Sequence, residues 1–515
     1  MKIFLKKIKF IVSKAIIPLL SIILQVTIFF IMLIKYNQYF YFYYIASFII
    51  SLFAILLIIN KRMNPAFVIA WLFIIFLFPI FGILIYILYG GKLTGKRMEE
   101  QLNSLFTNMQ SGFINGEDNI LLEIKKEDSH AYRQANYIKS KSLCPIYKNS
   151  SCTYYPSGEA SYNDIISAIK SAKEFIFIEF FIIKEGIFWN SILDILREKA
   201  KEGIDVRIIY DDVGCLFTLP AHYDKKLRSL GIKCYIFNQY NSLLSTKDTN
   251  RDHRKVILVD GKAAFTGGFN LSDEYINAFE KYGYWKDSVI RVKGDAVWNF
   301  TVMFLSTWDF LSQTKEDASK FRKDIPLLKE DNPSGFVQPY NDTPLDYEGV
   351  GETVYLNLIN KATDYIYITA PYLIIDNEMV TALCNAAKSG VDVRIITPHI
   401  PDKKIVYMVT CSFYPLLMES GIKIYEFTPG FIHAKNMIVD DIYGIVGSIN
   451  LDYRSLYLHY ECGVWMYKSD CIMDMKKDFL KTIEESKLLY YEKSKYKNCY
   501  NRFASSILRI LAPLF

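Results

Sequence analysis

The stretch Asp252–Asn270, DHRKVILVDGKAAFTGGFN, recurs in outline at Ile432–Asn450, which reads IHAKNMIVDDIYGIVGSIN. Both stretches contain a His, any residue, a Lys, four residues, an Asp, six residues, a Gly, and an Asn three positions later. The segments upstream of each copy also follow the same order. We therefore expect two similar domains, each of which contributes one copy of the pattern.

Those upstream segments match one another closely. AKEGIDVRIIYDD from Ala200 matches AKSGVDVRIITPH from Ala387, and LGIKCYIFN from Leu230 matches SGIKIYEFT from Ser420. The first pair reads as the end of a helix, a Gly that stops it, and a buried strand. Strands that alternate with helices are typical of an α/β layered sheet. The sequence therefore predicts the α/β fold class, with two layered domains related by a pseudo-twofold axis.

Composition divides the chain into segments. The break between the two domains is expected in the polar, Pro-containing stretch Asp324–Pro344. The predicted segments are a transmembrane region at 1–91, a juxtamembrane connector at 92–148, the two α/β domains at 149–325 and 326–500, and an amphipathic tail at 501–515. The tail is expected either to lie in a membrane interface or to pack on the core.

Three apolar runs precede the repeat, at Ala15–Ile34, Tyr41–Ile59 and Ala66–Tyr89. Each is about long enough to cross a bilayer as a helix, so we expect two to three transmembrane helices and a multi-pass protein of the cell membrane. Lysines before the first run favour a cytoplasmic N-terminus, and three crossings would then leave the repeat outside. The basic residues of Lys92–Arg97 favour the inside instead. If the first run is re-entrant or lies flat on the membrane, two crossings leave the large domain cytoplasmic, which is the expectation we adopt.

Charge and cysteine content narrow the function. The net charge of +6 is modest for 515 residues, so a nucleic-acid partner is not indicated. The nine cysteines are odd in number and lack metal-binding spacing, which favours reduced thiols. One His per copy beside a Lys is a poor ligand set, so we expect neither a metal nor another cofactor.

The repeated motif is suited to phosphate chemistry. Residues two apart on a strand share a face, so His253 lies beside Lys255 and His433 lies beside Lys435. An imidazole can attack, donate or accept a proton near neutral pH, and a lysine ammonium attracts an anionic oxygen. Four further histidines have no such context and are expected outside the site: His130, His222, His399 and His459.

These motifs carry a resemblance to a known family. HRKVILVD…GGFN and HAKNMIVD…GSIN resemble the paired HKD motifs of the phospholipase D superfamily, and more closely those of bacterial cardiolipin synthases. The segment from Asn64 to Gly90 and the stretch GSINLDYRSLYLHYE from Gly447 are similar to that family as well. The likeness covers nearly all of the chain after about residue 60. The first motif departs from the pattern, because Gly268 stands where Ser is common, as at Ser448.

The resemblance implies a phosphatidyl transfer in two steps through a covalent phosphohistidine. Two phosphatidylglycerol molecules would give cardiolipin and glycerol. His253 is expected to be the nucleophile and His433 the acid–base residue, although the reverse assignment stays open. The side chains expected to hold the phosphate oxygens are Lys255, Lys435, Asn270, Asn450 and Ser448.

The acids of the pattern have other expected roles. Asp260 and Asp440 lie seven residues beyond their histidines and so face away in a straight strand, which suggests a structural role within the motif. Each histidine still needs an acceptor for its second ring nitrogen. Asp287 and Glu461, on the strands that follow the motifs, are the candidates.

Several functions remain open on the sequence alone. A hydrolase or nuclease of the same superfamily would use water as the acceptor, and a transphosphatidylase would use another alcohol or phosphatidylethanolamine. A scaffold that binds lipid without catalysis is disfavoured, since both motifs retain their His and Lys. The expected partners are phosphatidylglycerol and other membrane lipids, and the oligomeric state is left open.

Overall fold

The computed structural model describes residues 17–90, 109, 113, 118–239, 250–322, 333–346, 348–490 and 499–514. The predicted boundaries near residues 91 and 325 and the lysines before residue 17 lie outside the described residues. The N-terminal helices are α1 (Ile17–Ile34), α2 (Asn37–Ile59), α3 (Pro65–Leu77) and α4 (Pro79–Ile85), the last followed by a π-helical turn at Tyr86–Gly90. Among the described residues, α2 is the one helix that is both long and apolar enough to cross a membrane.

The third apolar run differs from its prediction as one continuous span. The helix breaks at Phe78, where φ is −132° and ψ is 76°, because Pro79 has no N–H to continue the ladder. The chain then folds back. A Cβ on Gly82 would lie 2.9 Å from the carbonyl oxygen of Ile74, so only glycine permits this approach. The run Ala66–Tyr89 is thus a hairpin of two short helices.

The first half of the repeat is a seven-stranded mixed sheet. Its strand order is β1-β8-β6-β5-β2-β3-β4. Strands β2, β3 and β4 are parallel to one another, and the remaining pairs are antiparallel. Its elements, after α5 (Asp118–Glu127) and α6 (Ser129–Ser142), are β1 (Ser150–Tyr155), α7 (Gly158–Lys170), β2 (Phe175–Phe180), α8 (Ile187–Lys201), β3 (Asp205–Asp211), α9 (Tyr223–Ser229), β4 (Lys233–Phe237), β5 (Lys255–Val259), β6 (Ala263–Gly267), β7 (Tyr284–Lys286), β8 (Val289–Gly294) and α10 (Val297–Ser312).

The second half repeats this sheet with one extra edge strand. Its order, β9-β18-β16-β15-β10-β12-β13-β19, matches the first sheet strand for strand until β19 is added. Its elements are β9 (Phe336–Asp342), α11 (Val350–Lys361), β10 (Tyr365–Thr369), β11 (Leu373–Ile374), α12 (Asn377–Lys388), β12 (Asp392–Pro398), α13 (Lys404–Glu419), β13 (Lys423–Phe427), β14 (Gly430–Ile432), β15 (Asn436–Val439), β16 (Tyr443–Gly447), β17 (Leu451–Asp452), α14 (Tyr453–Tyr457), β18 (Glu461–Tyr467), α15 (Cys471–Glu484), β19 (Ser486–Leu488) and α16 (Cys499–Leu511). The chain is thus two α/β domains of the same topology.

The two halves share one core. Helix α10 is buried along most of its length between the sheets, and Phe304 on it stacks on Phe177 of β2 with ring centroids 4.6 Å apart. Asn299 on the same helix donates to the carbonyl oxygens of Pro145 and Pro339, at 2.9 and 2.8 Å. Strands β7 and β14, one from each half, pair in parallel. These contacts fix the faces of the two sheets against each other.

The segments at either end of the repeat also pack on it. Helix α6 of the predicted connector is buried at Ala131, Ala135 and Ile138, and the Ala135 carbonyl accepts a hydrogen bond from Gln338 at 3.0 Å. Helix α16 of the predicted tail packs against α13 and α3, and the Arg509 guanidinium lies 4.4 Å from the Phe413 ring centroid. The described residues of the tail therefore pack on the protein, and one of the two helices that they contact, α3, belongs to the apolar N-terminal region.

Candidate active site

The two motif histidines occupy equivalent places, just before a central strand of each sheet. His253 precedes β5 and His433 precedes β15. The His253 N–H donates to the Tyr460 carbonyl oxygen at 2.9 Å, and the His433 N–H donates to the Lys286 carbonyl oxygen at 2.6 Å. Tyr460 belongs to the second half and Lys286 to the first. The backbone of each histidine is therefore held by the opposite domain.

The side chains of the histidines are paired across the same boundary. Nδ1 of His253 lies 2.8 Å from Glu461 Oε1, and Nδ1 of His433 lies 2.9 Å from Asp287 Oδ2. Both carboxyl groups are fully buried. Glu461 is the first residue of β18, and Asp287 lies at the equivalent place two residues before β8, although it was expected on a strand. In sequence, Asp287 follows the first motif, yet it contacts the histidine of the second. A carboxyl group on Nδ1 fixes the ring orientation and leaves Nε2 for chemistry.

Gly268 shows how closely the two motifs approach. A Cβ at this position would lie 2.1 Å from Asp287 Oδ1 and 2.7 Å from the carbonyl oxygen of His433. A serine here would collide with both groups, which accounts for the departure from the Ser seen at Ser448. The first motif therefore contacts the backbone of the second. The two copies form one site.

Both motif lysines are buried beside their histidines. Lys255 Nζ donates to the His253 carbonyl oxygen, and Lys435 Nζ donates to that of His433. Burial lowers the pKa of Lys255 to about 8 and that of Lys435 to about 7. An anionic ligand stabilises the charged form of ammonium groups that are poorly solvated in this way.

The surroundings of both imidazoles favour their neutral forms in the free protein. Burial, followed by the charge of Lys255, lowers the pKa of His253 well below its usual value. Burial and Lys435 lower the pKa of His433 to about 4, although Asp287 acts in the opposite direction. A neutral imidazole retains the lone pair on its unprotonated nitrogen, so either ring is able to act as a nucleophile or a base.

Asp260 lies at the far end of its strand from His253. Its carboxylate accepts hydrogen bonds from the backbone N–H groups of Lys173, Glu174 and Phe175, at 2.9, 2.8 and 2.9 Å. Its φ is 52°, so it also forms the left-handed turn after β5. Asp260 holds the start of β2 against the motif strand and has no contact with the reacting groups.

Asp440 repeats this arrangement in the second half. It accepts hydrogen bonds from the N–H groups of Thr363, Asp364 and Tyr365, at 2.7, 3.0 and 2.8 Å, and its φ is 53°. The two motif aspartates thus join equivalent strand pairs. Their contacts favour the structural role that strand parity suggests.

Two of the predicted phosphate ligands are engaged with the protein. Asn270 accepts from the Ile182 N–H at 3.1 Å and donates to the Tyr275 hydroxyl at 2.7 Å. The Ser448 hydroxyl hydrogen-bonds Glu461 and accepts from the Cys462 N–H at 3.0 Å. Both side chains support neighbours of the histidines in this structure. By contrast, Oδ1 of Asn450 is buried without a hydrogen-bond partner.

Aromatic rings surround both histidines. The Phe181 ring lies 5.0 Å from that of His253, between centroids. The rings of Tyr275, Trp285 and Phe431 lie 5.5, 5.5 and 5.8 Å from that of His433. These rings exclude water, which is why burial is the first cause of every pKa shift at the site.

His459 lies in the site, although it was expected outside the site from the sequence. Its ring centroid lies 5.5 Å from that of His253, and its Nδ1 lies 3.9 Å from Glu461 Oε1. Its position two residues before Glu461, the second candidate acid, is the one sequence signal that would have indicated it. His253, His459 and Glu461 lie within 4.8 Å of one another and could in principle hold a cation. The positive charge of the Lys255 ammonium acts at the same place and disfavours a bound cation.

Comparison with known proteins relates this geometry to a family. Residues 165–287 and 355–483 match the model of the family described as cardiolipin synthase, PLD-like domain. A cardiolipin synthase of Alkalihalophilus pseudofirmus is 31% identical, over 89% of this chain and 91% of the relative. One of Geobacillus kaustophilus is 31% identical, over 90% and 92%. An uncharacterized protein of Streptococcus mutans is 41% identical, over 90% and 99%.

A solved structure shares the fold. The crystal structure of a phosphatidylserine synthase from Haemophilus influenzae superposes with a TM-score of 0.55 at 16% identity, covering 74% of this chain and 98% of that one. At 16% sequence identity, this similarity shows a shared fold and nothing about activity.

Proposed function

This chain belongs to the phospholipase D-like cardiolipin synthase family and is a phosphatidyltransferase of that type, and we propose that it joins two phosphatidylglycerol molecules into cardiolipin. The observation that supports the proposal best is the reciprocal pairing of His253 with Glu461 and of His433 with Asp287. Two activated imidazoles at one site suit a displacement that proceeds in two steps.

In the first step, Nε2 of His253 attacks the phosphorus of the donor lipid. The bond from phosphorus to the glycerol oxygen breaks, and His433 donates a proton to that oxygen as glycerol leaves. His433 has the higher pKa of the two histidines, since Asp287 opposes the effect of burial. The bound phosphodiester adds negative charge between the rings and raises that pKa further.

In the second step, His433 removes the proton from a glycerol hydroxyl of the acceptor lipid. That oxygen attacks the phosphorus, the bond to His253 breaks, and cardiolipin leaves. Lys255 and Lys435 flank the phosphorus and neutralise charge that develops on its oxygens. Asn450 is the one predicted amide ligand with an unengaged buried oxygen, and we assign its N–H donors to the same oxygens.

We propose that the N-terminal helices hold this chemistry at a membrane. In place of the re-entrant first run expected from the sequence, we assign α1 and α2 to a pair of crossings and the hairpin α3–α4 to a re-entrant segment, so that the N-terminus and the catalytic domain share the cytoplasmic side. This arrangement puts Lys61, Arg62 and the basic residues at Lys92–Arg97 on the same side as the N-terminal lysines, in agreement with the positive-inside rule.

Lipid analysis tests the proposed reaction. In a host that lacks cardiolipin, we expect expression of the chain to give cardiolipin by mass spectrometry. His433→Ala is expected to abolish it, while the control His130→Ala, at an exposed position on α6, is expected to leave it unchanged. Accumulation of phosphatidic acid in place of cardiolipin would show instead that water is the acceptor.

A further inference from the structure

His459 has unsatisfied hydrogen-bonding capacity beside the reacting groups. Its side chain is 10% exposed, and neither ring nitrogen has a hydrogen-bond partner. Its nearest carboxyl oxygen, Glu461 Oε1, is 3.9 Å away, beyond hydrogen-bond distance. Leaving a buried polar group unpaired is costly, so such a group next to a catalytic histidine indicates a place for a ligand atom.

Three basic residues have charges that act on His459, and two of them bond the backbone beside it. Arg454, an exposed residue of α14, accepts the His459 N–H at its carbonyl oxygen at 2.9 Å. Arg251 accepts the N–H of the next residue, Tyr460, at 2.8 Å. Lys403, also exposed, lies 5.8 Å from the Tyr372 ring centroid at the start of α13. These three residues belong to both halves of the protein.

The positive charges of these residues also act on the His459 ring. Burial lowers the pKa of His459 most, and the charges of Arg454, Lys255, Arg251 and Lys403 lower it further. His459 is therefore neutral, and it can both donate and accept a hydrogen bond.

Two acids face the same group of cations. Glu461 is fully buried, and burial raises its pKa well above the usual value. Asp452 accepts the Ser455 N–H at 2.8 Å as the cap of α14, and burial raises its pKa as well. Both acids are thus easier to protonate than in water. A further acid, Asp211, lies 3.8 Å from Arg251, so the exposed cations of this group are Arg454 and Lys403.

We propose that Arg454 and Lys403 bind the phosphate of the second phospholipid while His459 hydrogen-bonds the hydroxyl of its head group. This inference rests on the proposed function, since it concerns the acceptor of the same reaction. Lys255 and Lys435 serve the donor phosphate, so the additional cations give the acceptor phosphate a place of its own. An acceptor must then combine an anionic phosphate with an uncharged alcohol.

The same charges select against phosphatidylethanolamine. Its ammonium group would have to lie beside His459, where Arg454 and Lys255 act, and like charges repel strongly in a poorly solvated site. Repulsion of the wrong ligand adds to the attraction of the right one and so increases specificity.

The products formed from the phosphatidyl group of the donor lipid test this assignment. With purified full-length protein on phosphatidylglycerol vesicles, released glycerol reports the first step, and the ratio of cardiolipin to phosphatidic acid reports capture by lipid rather than water. We expect Arg454→Gln and Lys403→Gln each to lower that ratio about tenfold, as loss of one charge-assisted contact implies, while glycerol release persists. Arg197→Gln and Lys477→Gln, exposed controls on α8 and α15, are expected to keep the wild-type ratio.

Head-group selection provides a second measurement. Phosphatidylethanolamine has no free hydroxyl to accept the phosphatidyl group, so it can only compete for the acceptor site. On vesicles that mix it with phosphatidylglycerol, we expect Arg454→Gln to increase the inhibition of cardiolipin synthesis by phosphatidylethanolamine. His459→Asn, which keeps a donor and an acceptor, is expected to keep a higher cardiolipin ratio than His459→Ala.

The outcomes separate this inference from the reaction itself. If Arg454→Gln and Lys403→Gln lower glycerol release and cardiolipin in equal proportion, the cations serve the donor and the inference is wrong, although the proposed function stands. If the wild-type protein releases no glycerol from phosphatidylglycerol, the proposed function is wrong. The inference about the acceptor site depends on that function and is then wrong as well.

Discussion

At the scale of single residues, the two histidines differ through their carboxyl partners. Burial favours the neutral form of Asp287, but its interactions with His433 and the charge of Lys435 outweigh it, so the pKa of Asp287 is lowered. Burial raises the pKa of Glu461 well above its usual value, and Lys255 and Ser448 do not offset it. The pKa values of the two carboxyl partners are therefore shifted in opposite directions. This asymmetry supports His433 as the residue that carries the proton.

Replacement of the two acids should reveal that asymmetry. Asp287→Asn removes a negative charge from His433, and we expect cardiolipin synthesis to fall about 100-fold or more. Glu461→Gln replaces a carboxyl group whose pKa is raised by burial, and we expect a loss below about tenfold. Steady-state rates on phosphatidylglycerol vesicles measure both, with the exposed Glu198→Gln as the control. Equal losses from the two substitutions would contradict the assignment.

The motif lysines predict a pH dependence. Their pKa values are lowered to about 7 for Lys435 and about 8 for Lys255, and a lysine loses its positive charge as the pH rises through its pKa. We therefore expect kcat/KM, which reports the free enzyme, to decline above about pH 7–8. Assays from pH 5.5 to 9.5 would check this, and a constant kcat/KM up to pH 9.5 would show that the lysine charges are not needed.

At the scale of elements, the motif aspartates explain why the pattern spans a whole strand and turn. Asp260 and Asp440 each form a left-handed turn and bind the first N–H groups of the neighbouring strand, β2 or β10. Each histidine lies at one end of its motif strand and each aspartate at the other. The aspartate thus positions the strand that carries the histidine without contact to substrate.

Removal of a motif aspartate should therefore reduce stability. We expect Asp260→Ala to lower the free energy of unfolding by about 2–4 kcal/mol, because it leaves three N–H groups without an acceptor and places alanine at positive φ. Asp260→Asn keeps an acceptor and tolerates the turn, so its loss should be smaller. Asp440 is less buried, and its alanine variant should lose less than Asp260→Ala. Thermal unfolding in detergent measures these differences, and an unchanged midpoint for Asp260→Ala would contradict the structural role.

The repeated elements could be predicted from sequence because their signals are local. Strand runs, Gly stops and the second copy of AKEGIDVRII are visible without tertiary information, and they gave the α/β class and the two domains. The pairing of His253 with Glu461 could not be predicted, because it depends on how two sheets face each other. His459 was overlooked because a single histidine has no periodicity. The hairpin at Pro79 was overlooked because hydropathy records composition and not chain reversal.

At the scale of the whole molecule, the N-terminal helices contact the catalytic half close to the site. Asn64, which caps α3, donates to Asp376 at 2.9 Å and to the Tyr457 hydroxyl at 2.7 Å. Tyr457 ends α14, the short helix that carries Arg454 and leads to His459. The start of the hairpin is therefore fixed next to the proposed acceptor site.

Cysteine accessibility should decide the topology. We expect Lys35→Cys, between α1 and α2, to react with a membrane-impermeant maleimide in intact cells, and Lys126→Cys, on α5, to react only after lysis. The native background is low, since the eight cysteines whose side chains are described are buried or partly buried. Labelling of Lys126→Cys in intact cells would place the catalytic domain outside.

The central claim is that one imidazole from each half acts on a single phosphorus. Rapid quenching of the protein with phosphatidylglycerol labelled in its phosphatidyl group measures this most directly. We expect one acid-labile phosphatidyl group per chain, attached to His253. It should be absent from His253→Ala and should form slowly in His433→Ala. Labelling of both histidines, or normal turnover by either single variant, would show that each half works alone and would contradict the account.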